Sequence, residues 1–303
     1  MTEFLQQITN GVIVGATYAL LTIGLTMIFG LMDILNYAHG ELYMMGGVAA
    51  YFIMELGGIS YFMSIPLTIL LCFFIGLVIE LVLARNLYSA PLVTTAIATV
   101  GLSIFLQNTI FLFWGNMPRT LRSPFPIKPL YVGNVTLPPV RLFVLIIAVA
   151  VIVATQIVIK YTKIGRAMRA TFQDREAAQL SGINTKMIYA VTFAYGSALA
   201  GLSGLLSGSF LTVSPFMGPA VTNKAWAIAI MGGKGNILGA IFGGFILGVV
   251  ENLGAGYISS AYKDVFSFVI VVLVLVFKPE GLFTRKSQNI GSKRGKLTAK
   301  ETK

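Results

Sequence analysis

Charged residues are scarce in this 303-residue sequence. Asp, Glu, Lys and Arg together make up 11% of the chain, and 56% of it is hydrophobic. An ordinary soluble domain carries about 25% charged residues, so this chain has too little charge to cover a surface that faces water. The composition therefore excludes a typical soluble protein and predicts an integral membrane protein.

Cysteine and histidine each occur once, as Cys72 and His39. A lone cysteine excludes an intramolecular disulfide and leaves a thiolate metal site without a second sulfur. His39 and Glu41 offer too few ligands for zinc, and the HExxH motif is missing. We therefore predict no metal site and no catalytic residues. The rival interpretation, an intramembrane enzyme that uses His39 or a carboxylate, has no visible nucleophile, base and orienting group together.

Long segments without charge divide the chain. A helix needs about 20 apolar residues to cross a hydrocarbon core of about 30 Å. Candidate spans are residues 4–32, 59–79, 92–118, 142–159, 187–210 and 237–250, the last continuing past Glu251 toward residue 258. A final apolar block, 265–277, is short unless its helix begins near residue 259.

Two further stretches, 42–54 and 221–231, are too short for simple spans and too apolar for loops. Glycines or intramembrane polar groups flank both, and unwound backbone at membrane depth is tolerated only beside protein or a water-filled cavity. We predict broken or re-entrant helices there. The predicted fold is all-α, a polytopic transmembrane helical bundle with about eight or nine membrane segments, two of them short or broken.

The net charge of +11 is explained by membrane orientation and does not indicate nucleic acid. Basic residues gather in a loop at about 160–187 and in a tail, 284–303, which follows a membrane domain over 1–283. By the positive-inside rule both regions are cytoplasmic. Counting both short stretches gives nine crossings, which puts the amino terminus on the periplasmic side. The loop 116–141 is assigned outside although it carries basic residues only: Arg119, Arg122, Lys128 and Arg141.

The loop 160–187 has the pattern of two short helices. In the first, Ile164, Met168 and Phe172 recur at helical spacing opposite basic residues, which predicts an amphipathic helix on the membrane surface. The second helix, 175–181, has Asp174 as its N-cap, Glu176 in its first turn and Gly182 just beyond its end. Its small, hydrophilic surface suits insertion into a groove of another protein, although a solvated helix without a partner is an open alternative. The candidate docking residues are Asp174, Arg175, Glu176, Ala177, Ala178 and Gly182.

Several motifs resemble a known family. EAAQLSG at 176–182 resembles the EAA loop of ABC importer permeases, but the Ile-x-Leu-Pro ending of that motif is absent at 192–195. The sequence NYAHGELY at 36–43 resembles the signature of branched-chain amino acid permeases of the LivH type. Further matches, in the same order as in that family, are MMGGVAAY, TKIGRAMRA, FAYGSALAGLSG, MGGKGNILGAIFGG and FKPEGLF.

The resemblance implies a permease subunit of a binding-protein-dependent ABC importer for Leu, Ile and Val in the bacterial inner membrane. Its implied partners are a homologous permease in a heterodimer, two cytoplasmic ATPase subunits and a periplasmic amino-acid-binding protein. ATP would be bound by the ATPases, and we predict no cofactor on this chain, since the glycines at 232–235 do not fit a phosphate loop. Open alternatives are a permease of this family for another small amide or amino acid, and an ion-coupled secondary transporter.

Polar residues inside apolar segments are candidates for the translocation pathway or its gate. They are Asn36, His39, Gly40, Glu41, Glu251 and Asn252. For His39 and Glu41 a structural role, bonding unwound backbone or neighbouring helices, is an alternative. Glu251 and Asn252 fit a helix end at the outer interface as well as a cavity position.

Overall fold

The structure, a computed structural model, describes residues 2–126, 128–132, 135–278 and 281–283. These residues form eleven α-helices and one β-hairpin. The predicted basic tail at 284–303 lies outside the described residues. The helices are α1 (Thr2–Met32), α2 (His39–Glu55), α3 (Tyr61–Val82), α4 (Leu92–Trp114), α5 (Pro139–Tyr161), α6 (Lys163–Gln173), α7 (Arg175–Leu180), α8 (Thr185–Gly208), α9 (Met217–Gly232), α10 (Ile237–Tyr257) and α11 (Lys263–Phe277).

Six of the helices in the described part of the chain are long and apolar enough to cross a membrane: α1, α3, α4, α5, α8 and α10. Each coincides with one of the long uncharged segments, so the prediction of a polytopic helical membrane protein is confirmed. The all-α class fits as well, although the loop before α5 contains two three-residue strands, β1 (Leu130–Val132) and β2 (Val135–Leu137), which pair antiparallel. The uncharged-run criterion could not reveal such a short hairpin.

Helices α1 and α8 form the centre of the bundle. Their most apolar windows are 89% buried, whereas that of α4 is 6% buried. Glycines bring the two central backbones together, since a Cβ added to Gly24 would lie 2.5 Å from the carbonyl oxygen of Gly196. Small residues at such crossings are how membrane helices achieve close packing when lipid gives no hydrophobic drive.

Helices α2 and α9 correspond to the two short stretches. They are short, with 17 and 16 residues, which fits the prediction of short or broken segments, and each helix is continuous. The non-helical backbone instead precedes each helix. His39, the first residue of α2, contacts the carbonyl of Leu21, about 16 Å from the end of α1 at 1.5 Å per residue. Helix α2 therefore starts deep inside the bundle.

The two ends of the bundle differ. At one end, which we call the α6–α7 end, the ring of Phe172 on α6 lies close to Gly30 near the end of α1. At the other, the hairpin end, Gln6 of α1 exchanges hydrogen bonds with the backbone of Thr136 in β2. Helix α1 therefore runs from the hairpin end to the α6–α7 end.

Candidate functional site

Helix α7 has the caps that the sequence predicts. The carboxylate of Asp174 accepts a hydrogen bond from the Ala177 amide at 2.9 Å. Gly182 has φ +81°, and its amide donates to the Gln179 carbonyl while the Ile183 amide donates to the Ala178 carbonyl. This pair of bonds is a Schellman motif, which closes the carboxyl end of the helix. The helix itself ends at Leu180, with Ser181 as its C-cap.

The predicted docking residues of α7 fall into two groups, those that are exposed and those that pack against the rest of the chain. Glu176 and Ala177 are exposed, whereas Ala178 is buried against the chain itself and so lies off the exposed face. The guanidinium of Arg175 lies 5.4 Å from the ring centroid of Tyr189 and holds α7 on α8. Leu180, which the sequence reasoning missed, is 90% exposed. Leu180 could have been recognised from the sequence, because it is a large apolar side chain in an otherwise hydrophilic capped helix.

The non-helical segment between α1 and α2, residues 33–38, is bonded mainly by threonines. The amides of Leu35 and Tyr37 donate to the hydroxyls of Thr95 and Thr99 on α4. Thr222 of α9 accepts from the Gly40 amide at 3.0 Å. Threonine hydroxyls therefore satisfy the unwound backbone, whereas His39 and Glu41 bond the neighbouring helices α1 and α4.

Asn36, His39 and Glu41 form a buried polar group around the start of α2, each at most 1% exposed. The Nε2 of His39 donates to the Leu21 carbonyl at 3.1 Å, and Ser103 donates to Oε1 of Glu41 at 2.8 Å. Among the described residues, both atoms of the Asn36 side-chain amide, His39 Nδ1 and Glu41 Oε2 have no hydrogen-bond partner. Each buried polar atom without a partner lowers the stability of the folded protein by about 1–3 kcal/mol. This polar group therefore destabilises the otherwise apolar bundle.

Gly40 allows α2 and α9 to cross at this polar group. A Cβ on Gly40 would lie 2.2 Å from the carbonyl oxygen of Gly218, and a Cβ on Gly218 would lie 2.4 Å from Oε2 of Glu41. The amino-terminal ends of both short helices therefore meet at the Glu41 carboxylate. The partial positive charge at the two helix amino termini offsets part of the cost of burying this carboxylate.

A second polar group, the ionic cluster, joins α1, α9, α10 and α11. Lys224 lies 2.5 Å from the carboxylate of Glu251 and 2.9 Å from that of Asp264, and Lys263 lies 3.3 Å from Glu251. The hydroxyl of Tyr18 contacts both Lys224 and Glu251. The sequence reasoning found Glu251 but missed Lys224, although a lysine inside an apolar stretch is a signal of function or pairing.

Asn252 stands apart from the ionic cluster. Its amide donates to the Gly248 carbonyl of its own helix at 2.8 Å. The alternative that Glu251 and Asn252 mark a helix end is wrong, because α10 continues to Tyr257.

The bundle, the capped surface helix and the buried polar groups define a polytopic membrane protein of the transport type. The chain belongs to the family described as branched-chain amino acid transport system / permease component, whose model matches residues 7–275.

Similar proteins cover nearly the whole chain. The high-affinity branched-chain amino acid transport system permease protein LivH of Salmonella typhimurium is 37% identical, with 93% of this chain and 96% of that protein covered. BraD of Pseudomonas aeruginosa, with the same description, is 35% identical over the same shares. Among solved structures, PsaBC from Streptococcus pneumoniae in complex with Fab matches with a TM-score of 0.49 and 12% identity over 91% of this chain and 92% of that one.

Proposed function

We propose that this chain is the membrane-spanning permease subunit of a binding-protein-dependent ABC importer that moves Leu, Ile and Val across the bacterial inner membrane. The observation that carries the proposal is similarity along the whole chain, at 35–37% identity, to permeases of high-affinity branched-chain amino acid transport. ATP is bound by partner subunits, and this chain carries no cofactor.

In this proposal nine helices cross the membrane. They are the six long helices together with α2, α9 and α11, and the odd number leaves the amino terminus in the periplasm. The α6–α7 end and the carboxyl terminus are then cytoplasmic. The basic residues between α5 and α8 support this orientation, because they obey the positive-inside rule.

Helix α7 docks the ATPase. Its exposed face, with Glu176, Ala177 and Leu180, contacts a groove of the ATPase subunit. Asp174 and Gly182 fix the two ends of the helix, while Arg175 and Ala178 attach it to the rest of the permease. These separate roles follow from the exposure of the first group and from the caps and packing of the second.

The buried polar group at the start of α2 gates the translocation pathway. Asn36, His39 and Glu41 supply polar atoms for a zwitterion at the crossing that Gly40 makes possible. Glu251 holds the neighbouring helices through the ionic cluster and acts indirectly. Asn252 stays a candidate pathway residue, and its side-chain amide bonds the Gly248 carbonyl of its own helix.

The complete importer contains a homologous permease in a heterodimer, two cytoplasmic ATPases and a periplasmic amino-acid-binding protein. A pull-down tests this assembly. The tagged chain is expressed in its native bacterium, extracted in mild detergent, and its bound subunits are identified by mass spectrometry. Recovery of nucleotide-binding subunits with the chain is the expected result, and their absence from the wild-type sample would contradict the proposal.

Variants of α7 refine the same experiment. Glu176→Lys and Gly182→Arg are expected to lower ATPase recovery at least about tenfold, a loss of about 1.4 kcal/mol of binding free energy. Gly58→Arg is a matched control, because Gly58 also has positive φ with no atom within 4 Å of an added Cβ but lies in the α2–α3 turn. Equal recovery from all three variants would count against docking at α7.

A further inference from the structure

The segment from the last residue of α9 to the N-cap of α10, residues 232–236, is held by the end of α1. We call this segment the glycine turn. Gly235 has φ +71°, and a Cβ on Gly30 of α1 would lie 2.6 Å from the Gly235 Cα, so the two backbones touch. Lys234 pairs with Asp33 and lies 5.1 Å from the ring centroid of Phe29. The glycine turn therefore moves with the end of α1 or breaks several contacts.

Phe172 is the part of α6 that reaches this turn. A Cβ on Gly235 would lie 2.6 Å from both Cε2 and Cζ of the Phe172 ring, and one on Gly30 would lie 3.2 Å from Cε2. The ring thus lies directly against the backbone of both glycines, with no side chain between them. Phe172 also stands two residues before Asp174, the N-cap of α7, so its position is tied to that of the docking helix.

A cavity of about 90 Å³ adjoins the ring. It is lined by Thr26, Met27, Met168, Thr192 and Phe172 itself, among others. Protein interiors are otherwise close-packed and tend to switch between discrete arrangements. The cavity leaves space beside the ring.

Helix α9 connects the glycine turn to the polar group at the start of α2. It runs from Gly232 back to Met217, and its residue Gly218 lies against the carboxylate of Glu41. Thr222 of the same helix bonds the Gly40 amide and the Tyr37 carbonyl. A displacement of the glycine turn, if α9 moves with it as a rigid helix, therefore changes contacts at the start of α2.

We propose that Phe172 is a positioning residue that transmits movement of the docked α6–α7 segment through the glycine turn to α9 and the polar group at α2. The proposal rests on the proposed docking of an ATPase at α7. Contacts in series are not themselves evidence of energetic coupling, so the test measures coupling directly.

The test uses the complete importer, reconstituted in proteoliposomes with its binding protein. Phe172→Ala is compared with the conservative Phe172→Leu and with Ile164→Ala, a matched control on the same helix with 44% exposure against 48% for Phe172. Phe172→Ala is expected to retain the ATPase subunits and their basal ATP hydrolysis. Its leucine uptake and the stimulation of hydrolysis by loaded binding protein should fall about tenfold or more, and Phe172→Leu should restore much of both.

Hydrogen exchange supplies a readout that a purely structural role would not move. In the wild-type complex, a non-hydrolysable ATP analogue should change the protection of amides in residues 232–236, and Phe172→Ala should abolish that change. Normal uptake by Phe172→Ala, or an equal defect in Ile164→Ala, would overturn the proposal. Loss of the ATPase subunits from wild type would instead refute the docking on which it rests, so the two failures are distinguishable.

Discussion

Lys224 of α9 and Glu251 of α10 form a buried ion pair, with Nζ 2.5 Å from Oε1. Glu251 has no solvent exposure and the Lys224 side chain is 11% exposed. Charges inside a bundle are tolerated when they are paired, and Lys263 and Asp264 bring α11 into the same cluster. The pair therefore holds α9, which also contacts the polar group at α2, to the carboxyl-terminal helices.

Removing one partner of this pair should destabilise the bundle. Lys224→Met and Glu251→Leu are each expected to cost on the order of 3 kcal/mol, because each leaves a buried charge with fewer partners. The double variant should lose clearly less than the sum, since removing both partners leaves neither the Lys224 ammonium nor the Glu251 carboxylate buried without its partner. The midpoint of thermal unfolding in detergent measures this. Strictly additive losses would show that the two residues do not interact in the folded protein.

Close packing of α2 on α8 depends on Gly46. A Cβ there would lie 2.0 Å from the carbonyl oxygen of Gly201, so Gly46→Ala should cost at least about 1–3 kcal/mol by overpacking. Gly101 of α4 is the control, because an added Cβ meets no atom within 4 Å and alanine favours helix by up to about 1 kcal/mol. Thermal unfolding should separate the two variants. Similar midpoints for both would contradict the tight α2–α8 crossing.

Leu180 should be the apolar contact of the docking helix. A leucine that is 90% exposed on a capped helix gains most when a partner covers it. We expect Leu180→Asp to abolish recovery of the ATPase subunits while the chain still inserts in the membrane. Leu211→Asp serves as the control, since that exposed leucine lies between α8 and α9, toward the hairpin end. ATPase recovery that survives Leu180→Asp would remove Leu180 from the interface.

Local features of this fold could be predicted from the sequence, because they depend on residues close together in the chain. The long helices follow from uncharged runs, and the caps of α7 follow from Asp174 and Gly182 in their expected places. The unbroken form of α2 and α9 could not be predicted. A glycine beside an apolar stretch can interrupt a helix or, as at Gly40, allow another helix to cross it.

Contacts between distant segments were beyond the sequence. Nothing in the spacing of Lys224 and Glu251 pairs them, because they belong to different helices whose rotation is set by packing. Neighbouring positions also diverge on a helix, by about 100° per residue, so Glu251 enters the cluster while Asn252 bonds its own helix. Likewise, the amphipathic pattern of α6 places Phe172 on the membrane face without indicating Gly30 and Gly235 as its neighbours.

In our proposal this chain moves branched-chain amino acids only when an ATPase drives it. Uptake of radiolabelled leucine into proteoliposomes distinguishes this from unaided transport, with the chain alone compared with the complete complex, its binding protein and ATP. We predict uptake only by the complete complex and only with hydrolysable ATP. Accumulation of leucine by the purified chain alone, driven by an ion gradient, would contradict the account.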